Sequence, residues 1–333
     1  MKKIITKLFF VLTLVLTCLH ILPVHAESQN ETQSYFEREH ETDESLNVYE
    51  TTGQENQVPE GAAKEYIEPL DSGIHFLQSK YTVQVGSKIY LGDDLVNANA
   101  GSVEWESNRS IVSIDNGLIE GIRAGLTEIT VKARDGRWAS TTVRVIFTDV
   151  PEYDKYYSNA VYWAVDRGIT SGYYDSDNYT RKFKPEQTCL RAHVVTFLWR
   201  AAGKPEPKTI RSPYSDCQDA SKYYFKAVLW ASEVGITKGY SDGTFRPDDP
   251  CLREHVVTFL WRFAQKPEPK GSGNRFNDVT KSDYYYKATL WASEKGITKG
   301  YSTGEYAGGF GPKLDCLREH VVTFIYRLAK SLE

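Results

Sequence analysis

Three arginines recur at the same point of three similar segments, where each is placed to bind an anion. Arg191, Arg253 and Arg318 each follow a leucine at the predicted start of a helix. A helix start disfavours a cation by a few tenths to about 1 kcal/mol, yet it presents free backbone N–H groups. An arginine fork beside such groups suits a carboxylate or a phosphate. The repeated, locally unfavourable choice therefore predicts an anionic ligand.

Each segment also carries an aspartate that offers the arginine a different role. Asp149, Asp216 and Asp278 open the three segments. An intramolecular pair between an arginine and one of these carboxylates would hold a loop against the helix. Both roles are compatible with the sequence.

The predicted ligand-binding set contains three further residue types. Tryptophans on partly polar helix faces either stack on a sugar at a groove rim or pack between units. Lysines precede glycines whose missing side chains allow a close backbone approach. These residues are Trp163, Trp230, Trp291, Lys238, Lys299, Gly172, Gly239 and Gly300. The first copy has Ser171 before its glycine and Ala192 where the others have glutamate, so its groove is predicted to be the weakest.

The arginines lie in a segment of about sixty residues that is written three times. The copies end in nearly identical sequences at 189–200, 251–262 and 316–327. A unit this short buries little surface alone, which indicates that the units share one core. Each unit is predicted to be a helical hairpin: a first helix, a Gly-rich loop and a second, almost wholly apolar helix. We expect three such second helices to meet in one bundle.

Leucine stands where a capping residue is expected before each second helix. Thr188 and Asp315 are predicted to cap from farther out in copies one and three, whereas Pro250 leaves copy two without a substitute. The cysteines that remain after cleavage of the leader are Cys189, Cys217, Cys251 and Cys316. Three of them occupy equivalent positions and cannot all pair, so free, partly buried thiols are expected. The repeated histidines His193, His255 and His320 are read as helix-surface residues rather than metal ligands.

The first 70 residues divide into a leader and a spacer. A basic start, an apolar run and an Ala-x-Ala-like exit predict a signal peptide at 1–26 and a secreted protein with no membrane span after cleavage. Residues 27–70 hold twelve acidic and two basic residues, which is typical of a disordered spacer. The segment 148–333 is mildly basic, with 27 basic and 23 acidic residues, so nucleic acid is not predicted as a partner.

Residues 71–147 form short alternating runs separated by turn signals, which predicts a small all-β sandwich of about seven strands. The runs at 103–108, 111–117 and 121–130 resemble the group 2 bacterial immunoglobulin-like (Ig-like) domains. That resemblance implies a spacer or an adhesive module on a bacterial surface protein.

The repeats resemble the S-layer homology (SLH) domains of bacterial surface proteins. The resemblance rests on openings such as 276–279, on Gly-Ile-Thr-Lys-Gly-Tyr at 235–240 and 296–301, and on the loop at 242–247. The usual Thr-Arg-Ala-Glu appears here with leucine first and histidine last. The resemblance implies an all-α, pseudo-threefold trimer of repeats at 148–203, 210–266 and 272–330 that binds secondary cell-wall polysaccharide without a covalent bond.

These features predict a non-enzymatic protein of the cell wall or S-layer, without cofactor or metal, anchored through an anionic glycan. No Gly-x-Ser-x-Gly, His-Glu-x-x-His or Walker loop occurs in the sequence. An alternative is an adhesin or S-layer-type assembly protein that binds an extracellular protein or other S-layer subunits. A wall-modifying enzyme is a weaker alternative.

Overall fold

A computed structural model describes residues 73–175, 180–271 and 273–333 of the chain. The predicted signal peptide and acidic spacer lie outside these residues. The described part consists of a β-rich region followed by a helical region that carries the repeats.

The β-rich region contains nine short strands where the sequence predicts about seven. In chain order they are β1 His75–Phe76, β2 Lys80–Gln84, β3 Lys88–Tyr90, β4 Leu95–Val96, β5 Val103–Glu106, β6 Val112–Asp115, β7 Leu118–Gly121, β8 Gly125–Ala133 and β9 Trp138–Ile146. A four-stranded sheet has the order β2-β9-β8-β5, and a three-stranded sheet has the order β3-β7-β6. Strands β1 and β4 form a small pair of their own.

Alternating side chains give these sheets their apolar sides. Along β8 every second residue is buried, among them Ile129 and Val131. They join Val143 and Val145 of β9 and Ile119 of β7 in one apolar cluster. Burial of these β-branched side chains is the main stabilising contribution in a region this small.

The helical region has six helices, two in each repeat. They are α1 Ser158–Asp166, α2 Arg191–Ala201, α3 Phe225–Glu233, α4 Arg253–Phe263, α5 Tyr286–Glu294 and α6 Arg318–Lys330. The loop of the first repeat also contains a hairpin of β10 Tyr173–Asp175 and β11 Thr180–Lys182. Helix α3 ends as the sequence predicts, because Gly235 adopts a φ of 76° just after it and Ile236 N donates to Ala231 O at 2.8 Å.

The helices pair differently from the predicted hairpins within each unit. Helix α2 packs along α3, α4 along α5, and α6 returns to pack along α1. Each close helix pair therefore joins two repeats, and the last pair joins the end of the region to its beginning. Within one repeat the helices meet through end contacts, such as Arg262 Nη1 donating to Ile236 O at 3.1 Å.

Three cysteines join the repeats in a closed ring of backbone hydrogen bonds. Cys251 N donates to Cys189 O at 2.9 Å, Cys316 N to Cys251 O at 3.0 Å, and Cys189 N to Cys316 O at 2.9 Å. These residues and Cys217 are free thiols, and they are fully buried rather than partly buried. A ring closes only if the third repeat contacts the first, so each repeat is bonded to both of the others.

The β-rich region continues into the first repeat without a linker. Strand β9 ends at Ile146, and the next residue, Phe147, is buried. Its ring centre lies 6.2 Å from that of Tyr162 in α1. Arg144 of β9 makes a bidentate ion pair with Asp166 at 2.6 and 2.9 Å. These contacts fix the first repeat against the sheet.

A search of the described residues for membrane-spanning segments finds no helix with the length and apolarity that a span requires.

Candidate functional site

The three predicted arginines are buried at the junctions between repeats. Arg191, Arg253 and Arg318 are each 3% exposed. Their Nε atoms donate to the backbone carbonyls of Phe245, Phe310 and Phe183 at 2.9, 2.9 and 3.0 Å. Each phenylalanine lies in the loop of the next repeat, with the third repeat followed by the first. The arginine therefore links two repeats.

Aromatic rings surround each guanidinium group. The Cζ atom of Arg191 lies 4.7 Å from the ring centre of Tyr240 and 4.9 Å from that of Phe245. Among the described residues no carboxylate pairs with any of the three arginines. The terminal nitrogens of Arg191 and Arg253 donate to no acceptor there, whereas Arg318 Nη1 donates to Tyr173 Oη at 3.2 Å. A buried cation without a partner charge is costly, which leaves these nitrogens suited to an anion.

The aspartates do not pair with the arginines. The carboxylate of Asp216 accepts hydrogen bonds from the backbone N–H groups of Phe245 and Arg246 at 2.8 and 2.6 Å. Asp149 and Asp278 hold the loops of their own repeats in the same way. The suggested direct pair is therefore replaced by an indirect link through the loop.

Backbone carbonyls of the neighbouring repeat cap the second helices. Arg191 N donates to Asp249 O and Ala192 N to Pro247 O, both at 3.0 Å, and the other two helix starts repeat this arrangement. These N–H groups are thus not free for a ligand, and the predicted caps from Thr188 and Asp315 do not form. The Thr188 hydroxyl instead donates to the Asp315 carboxylate at 3.4 Å.

The tryptophan rings lie in the packing between helices. Trp230 and Trp291 are 4% and 3% exposed, so they offer almost no surface to a sugar. Trp163 is half-buried, with its ring 5.5 Å from that of Tyr326 in α6. Of the two roles suggested for the tryptophans, packing is the one that their burial supports.

The binding role predicted for the lysines stays a prediction, whereas the glycines are crowded by the protein itself. Lys238 and Lys299 are exposed, and no hydrogen bond or ion pair joins their ammonium groups to other described residues. A Cβ atom at Gly239 would lie 2.3 Å from Cε1 of Tyr214 and 2.6 Å from Thr244 O, at a φ of 65°. Gly172 and Gly300 are equally crowded by Phe147 and Phe276. The protein's own rings and backbone carbonyls approach these glycines closely.

Beside Arg318 lies a row of rings that the sequence reasoning missed, and equivalent residues lie near Arg191 and Arg253. Each of these two sets has one close ring pair, Tyr240 with His255 and Tyr156 with His320, both at 6.4 Å. We name the rows by their residues: row A is Arg191, Tyr240, His255 and Tyr284; row B is Arg253, Tyr301, His320 and Tyr156; row C is Arg318, Tyr173, His193 and Tyr223. In row C the guanidinium lies 4.5 Å from the ring centre of Tyr173. That ring is 6.2 Å from His193, which stacks on Tyr223 at 6.0 Å.

Each row combines residues from all three repeats and ends at solvent. The last tyrosines, Tyr156, Tyr223 and Tyr284, are 58%, 54% and 57% exposed. Their rings offer flat apolar faces at the outer end of each row, and the buried cation lies at the inner end. Together these two groups suit an acidic sugar. The repeated pair of tyrosines before each first helix was the sequence signal for these residues, and the histidines had been read as ordinary surface positions.

Burial and nearby cations keep the row histidines neutral. Burial, together with the charges of Arg318 and Arg200, lowers the pKa of His193 to about 4. The pKa values of His255 and His320 are lowered to about 4 for the same reasons. The arginine therefore carries the positive charge of each row. In the described part of the chain no group of three His, Cys, Asp or Glu residues could hold a metal ion.

Comparison with known proteins connects this architecture to bacterial surface proteins. Residues 146–195, 213–257 and 275–321 match the family model described as "S-layer homology domain". The chain is 29% identical over 168 residues to "Cell surface glycoprotein 1" of Acetivibrio thermocellus, a match that covers 48% of this chain and 7% of that protein. It is 27% identical over 148 residues to the "Cellulosome-anchoring protein" of the same organism, which covers 44% of this chain and 33% of that protein.

The chain thus contains three S-layer homology repeats, and it spans less than two thirds of the curated relatives that it matches. The repeats, together with relatives named for a cell surface and for anchoring, support localisation at the cell wall or cell surface. They indicate a structural cell-surface protein.

Proposed function

Starting from three S-layer homology repeats, we propose that this protein is held on the cell wall by non-covalent binding of an anionic secondary cell-wall polysaccharide. The observation that carries the proposal is the arginine of each row. It is 3% exposed, and it has no carboxylate partner among the described residues. Its Cζ atom lies 4.5–4.8 Å from the ring centre of the first tyrosine of its row, and the row ends at a half-exposed tyrosine. The arginine would bind the acidic group, and the exposed tyrosine at the end of the row would stack on the sugar ring.

The arrangement of the repeats supports this use. Because each arginine, its loop and its tyrosine come from different repeats, the closed ring of hydrogen bonds sets their relative positions before a ligand arrives. Such preorganisation reduces the entropy cost of binding. We propose that the repeats form a pseudo-threefold trimer with three equivalent clefts, so that one long polymer can engage several clefts at once.

The β-rich region would act as a rigid spacer or display module. We propose an Ig-like sandwich for it. Its two mostly antiparallel sheets support this, because their buried side chains belong to one apolar cluster. Its ion pair and ring contact with α1 would hold this region in a fixed orientation relative to the repeats.

An adhesin or assembly role is the second candidate, and exposed apolar side chains on the β-rich region favour it. Trp138 is 65% exposed, and the cross-strand neighbours Tyr90 and Leu118 are 49% and 39% exposed. Such side chains suit a protein partner. In this role the partner would be an extracellular protein or another S-layer subunit.

A sedimentation assay with purified cell-wall sacculi tests the anchoring function. The full chain is expected to sediment with intact sacculi and to remain in solution after the non-peptidoglycan polymer has been stripped. Retention on stripped sacculi would contradict the proposal.

Tyrosine variants separate the two candidates. Replacing Tyr156, Tyr223 and Tyr284 together by alanine should weaken retention, because the rows lose their stacking faces. Tyr90→Ala in β3, which removes a similarly exposed ring, is the matched control and should leave retention unchanged. The opposite pattern would favour the adhesin.

A further inference from the structure

The three rows differ at one buried position, the second residue of each second helix. Glu254 and Glu319 are 3% and 8% exposed, and each accepts a hydrogen bond from the tyrosine of its row. The Tyr284 hydroxyl donates to Glu254 at 3.1 Å and the Tyr156 hydroxyl to Glu319 at 2.7 Å. The first repeat has Ala192 at this position, fully buried.

Ala192 leaves the tyrosine of row C without an acceptor. In the part of the chain that the structure describes, the Tyr223 hydroxyl makes no hydrogen bond, although its ring stacks on His193. Row C therefore offers a ligand one hydroxyl group that rows A and B already use internally. A hydrogen bond from this hydroxyl would suit an oxyanion or a sugar oxygen.

The two buried glutamates differ in the charges near them. In row A the carboxylate of Glu254 lies 2.8 Å from Nζ of Lys313, an exposed side chain that offsets part of its charge. In row B, Glu319 has no lysine or arginine ion pair among the described residues, and its nearby charged groups are the exposed Glu186 and Lys155 of the first repeat. Burial and then Glu186 raise the pKa of Glu319.

Among the side chains that the structure describes, row C holds no buried carboxylate. Burial and the charges of Arg318 and Arg200 lower the pKa of its histidine. Burial raises the pKa of Tyr223, and Asp248 is the carboxylate that raises it further. Asp248 is exposed, so water screens its charge, whereas the charges of Glu254 and Glu319 act through a poorly polarisable interior.

We infer that Ala192 makes row C the strongest of the three sites for an anionic group, followed by row A and then row B. The inference rests on the proposed function and assigns the ranking within it. The sequence alone ranks the cleft of the first copy as the weakest, because Ser171 and Ala192 stand where the other copies have lysine and glutamate. Row C instead takes its arginine from the third repeat and its second tyrosine from the second.

Arginine side-chain NMR signals can follow each row separately in the full chain. The Nε–H groups of Arg191, Arg253 and Arg318 are buried and donate to carbonyls, so they should exchange slowly with water. The chain is labelled with ¹⁵Nε-arginine, assigned through single Arg→Lys variants, and titrated with sodium glucuronate, with glucose as the neutral control. The Arg318 signal is expected to move at the lowest glucuronate concentration and the Arg253 signal at the highest.

Charge variants at the differing position test the cause. Ala192→Glu should raise the midpoint of the Arg318 titration about tenfold, whereas Ala192→Gln, which fills the same space without a charge, should change it less than about twofold. Glu319→Gln, which preserves shape, should lower the midpoint of the Arg253 titration. It also keeps the test decisive if the Ala192→Glu variant fails to fold.

Different outcomes overturn different statements. Equal midpoints for the three signals, or a folded Ala192→Glu chain that behaves like Ala192→Gln, would overturn the ranking and leave the anchoring function intact. If glucuronate moved none of the three signals more than glucose does, both the ranking and the binding of acidic sugars in the rows would fail.

Discussion

Arg191 and Asp216 hold the two sides of one residue, Phe245. The Asp216 carboxylate accepts from Phe245 N at 2.8 Å, and Arg191 Nε donates to Phe245 O at 2.9 Å. The aspartate belongs to the same repeat as the loop, and the arginine belongs to the repeat before it. The loop is thus fixed from both sides, and it is the element through which one repeat recognises the next.

Loss of one arginine should loosen the whole ring. Arg253→Met removes a charge-assisted hydrogen bond to Phe310 O and should lower the free energy of unfolding by about 1.5–3 kcal/mol. Guanidinium unfolding followed by tryptophan fluorescence measures the loss. Arg134→Met, at an exposed position between β8 and β9, is the control. Equal stability of the two variants would show that Arg253 does not join the repeats.

Crowding at Gly239 should make that position intolerant of a side chain. Gly239→Ala combines a positive φ with a contact of 2.3 Å to the Tyr214 ring and should cost about 3 kcal/mol or more. Gly243 has a φ of 79° and open space around it, so Gly243→Ala should cost only about 1 kcal/mol. Thermal unfolding of both variants isolates the contribution of the contact. Matching losses would mean that φ alone explains the requirement for glycine.

Acid should destabilise the repeats through their histidines. The pKa values of His193, His255 and His320 are lowered from 6.5 to about 4, because burial disfavours the charged ring. Their contribution to stability is therefore complete above pH 6.5 and is lost as the pH falls through about 4. Replacing all three by glutamine should flatten the fall in unfolding free energy across this window. An unchanged pH profile would assign the fall to other groups.

The ring cysteines should resist alkylation in the folded protein. Burial raises the pKa of Cys316 and of Cys217 to about 12 and also raises those of Cys189 and Cys251, so few thiolates form. Iodoacetamide mapping by mass spectrometry should find all four thiols unmodified in mild alkali and modified in concentrated guanidinium chloride. Rapid labelling of any ring cysteine in the native chain would indicate that the repeats open locally.

Sequence patterns identified the elements well where a local rule governs them. Periodic apolar residues predicted both helices of each repeat, Gly235 predicted the end of α3, and alternation predicted β-strands in the region before the repeats. The match to S-layer homology repeats agrees with the resemblance that the sequence suggested. The caps predicted from Thr188 and Asp315 were wrong, since backbone carbonyls of another repeat, such as Pro247 O and Asp249 O, accept from the N–H groups at the helix starts.

The sequence by itself determined that three like units exist, that each carries a buried-helix pattern and an arginine, and that the protein is suited to a surface. These properties follow from composition and from apolar periodicities of a few residues, which do not depend on the repeat that packs against the segment. Only the tertiary structure decided which repeat supplies the partner for each arginine, helix and tyrosine. Because the copies are nearly identical, pairing within a copy and pairing with its neighbour look the same in sequence. The helix pairs between repeats and the closed ring of Cys189, Cys251 and Cys316 distinguish them in the structure.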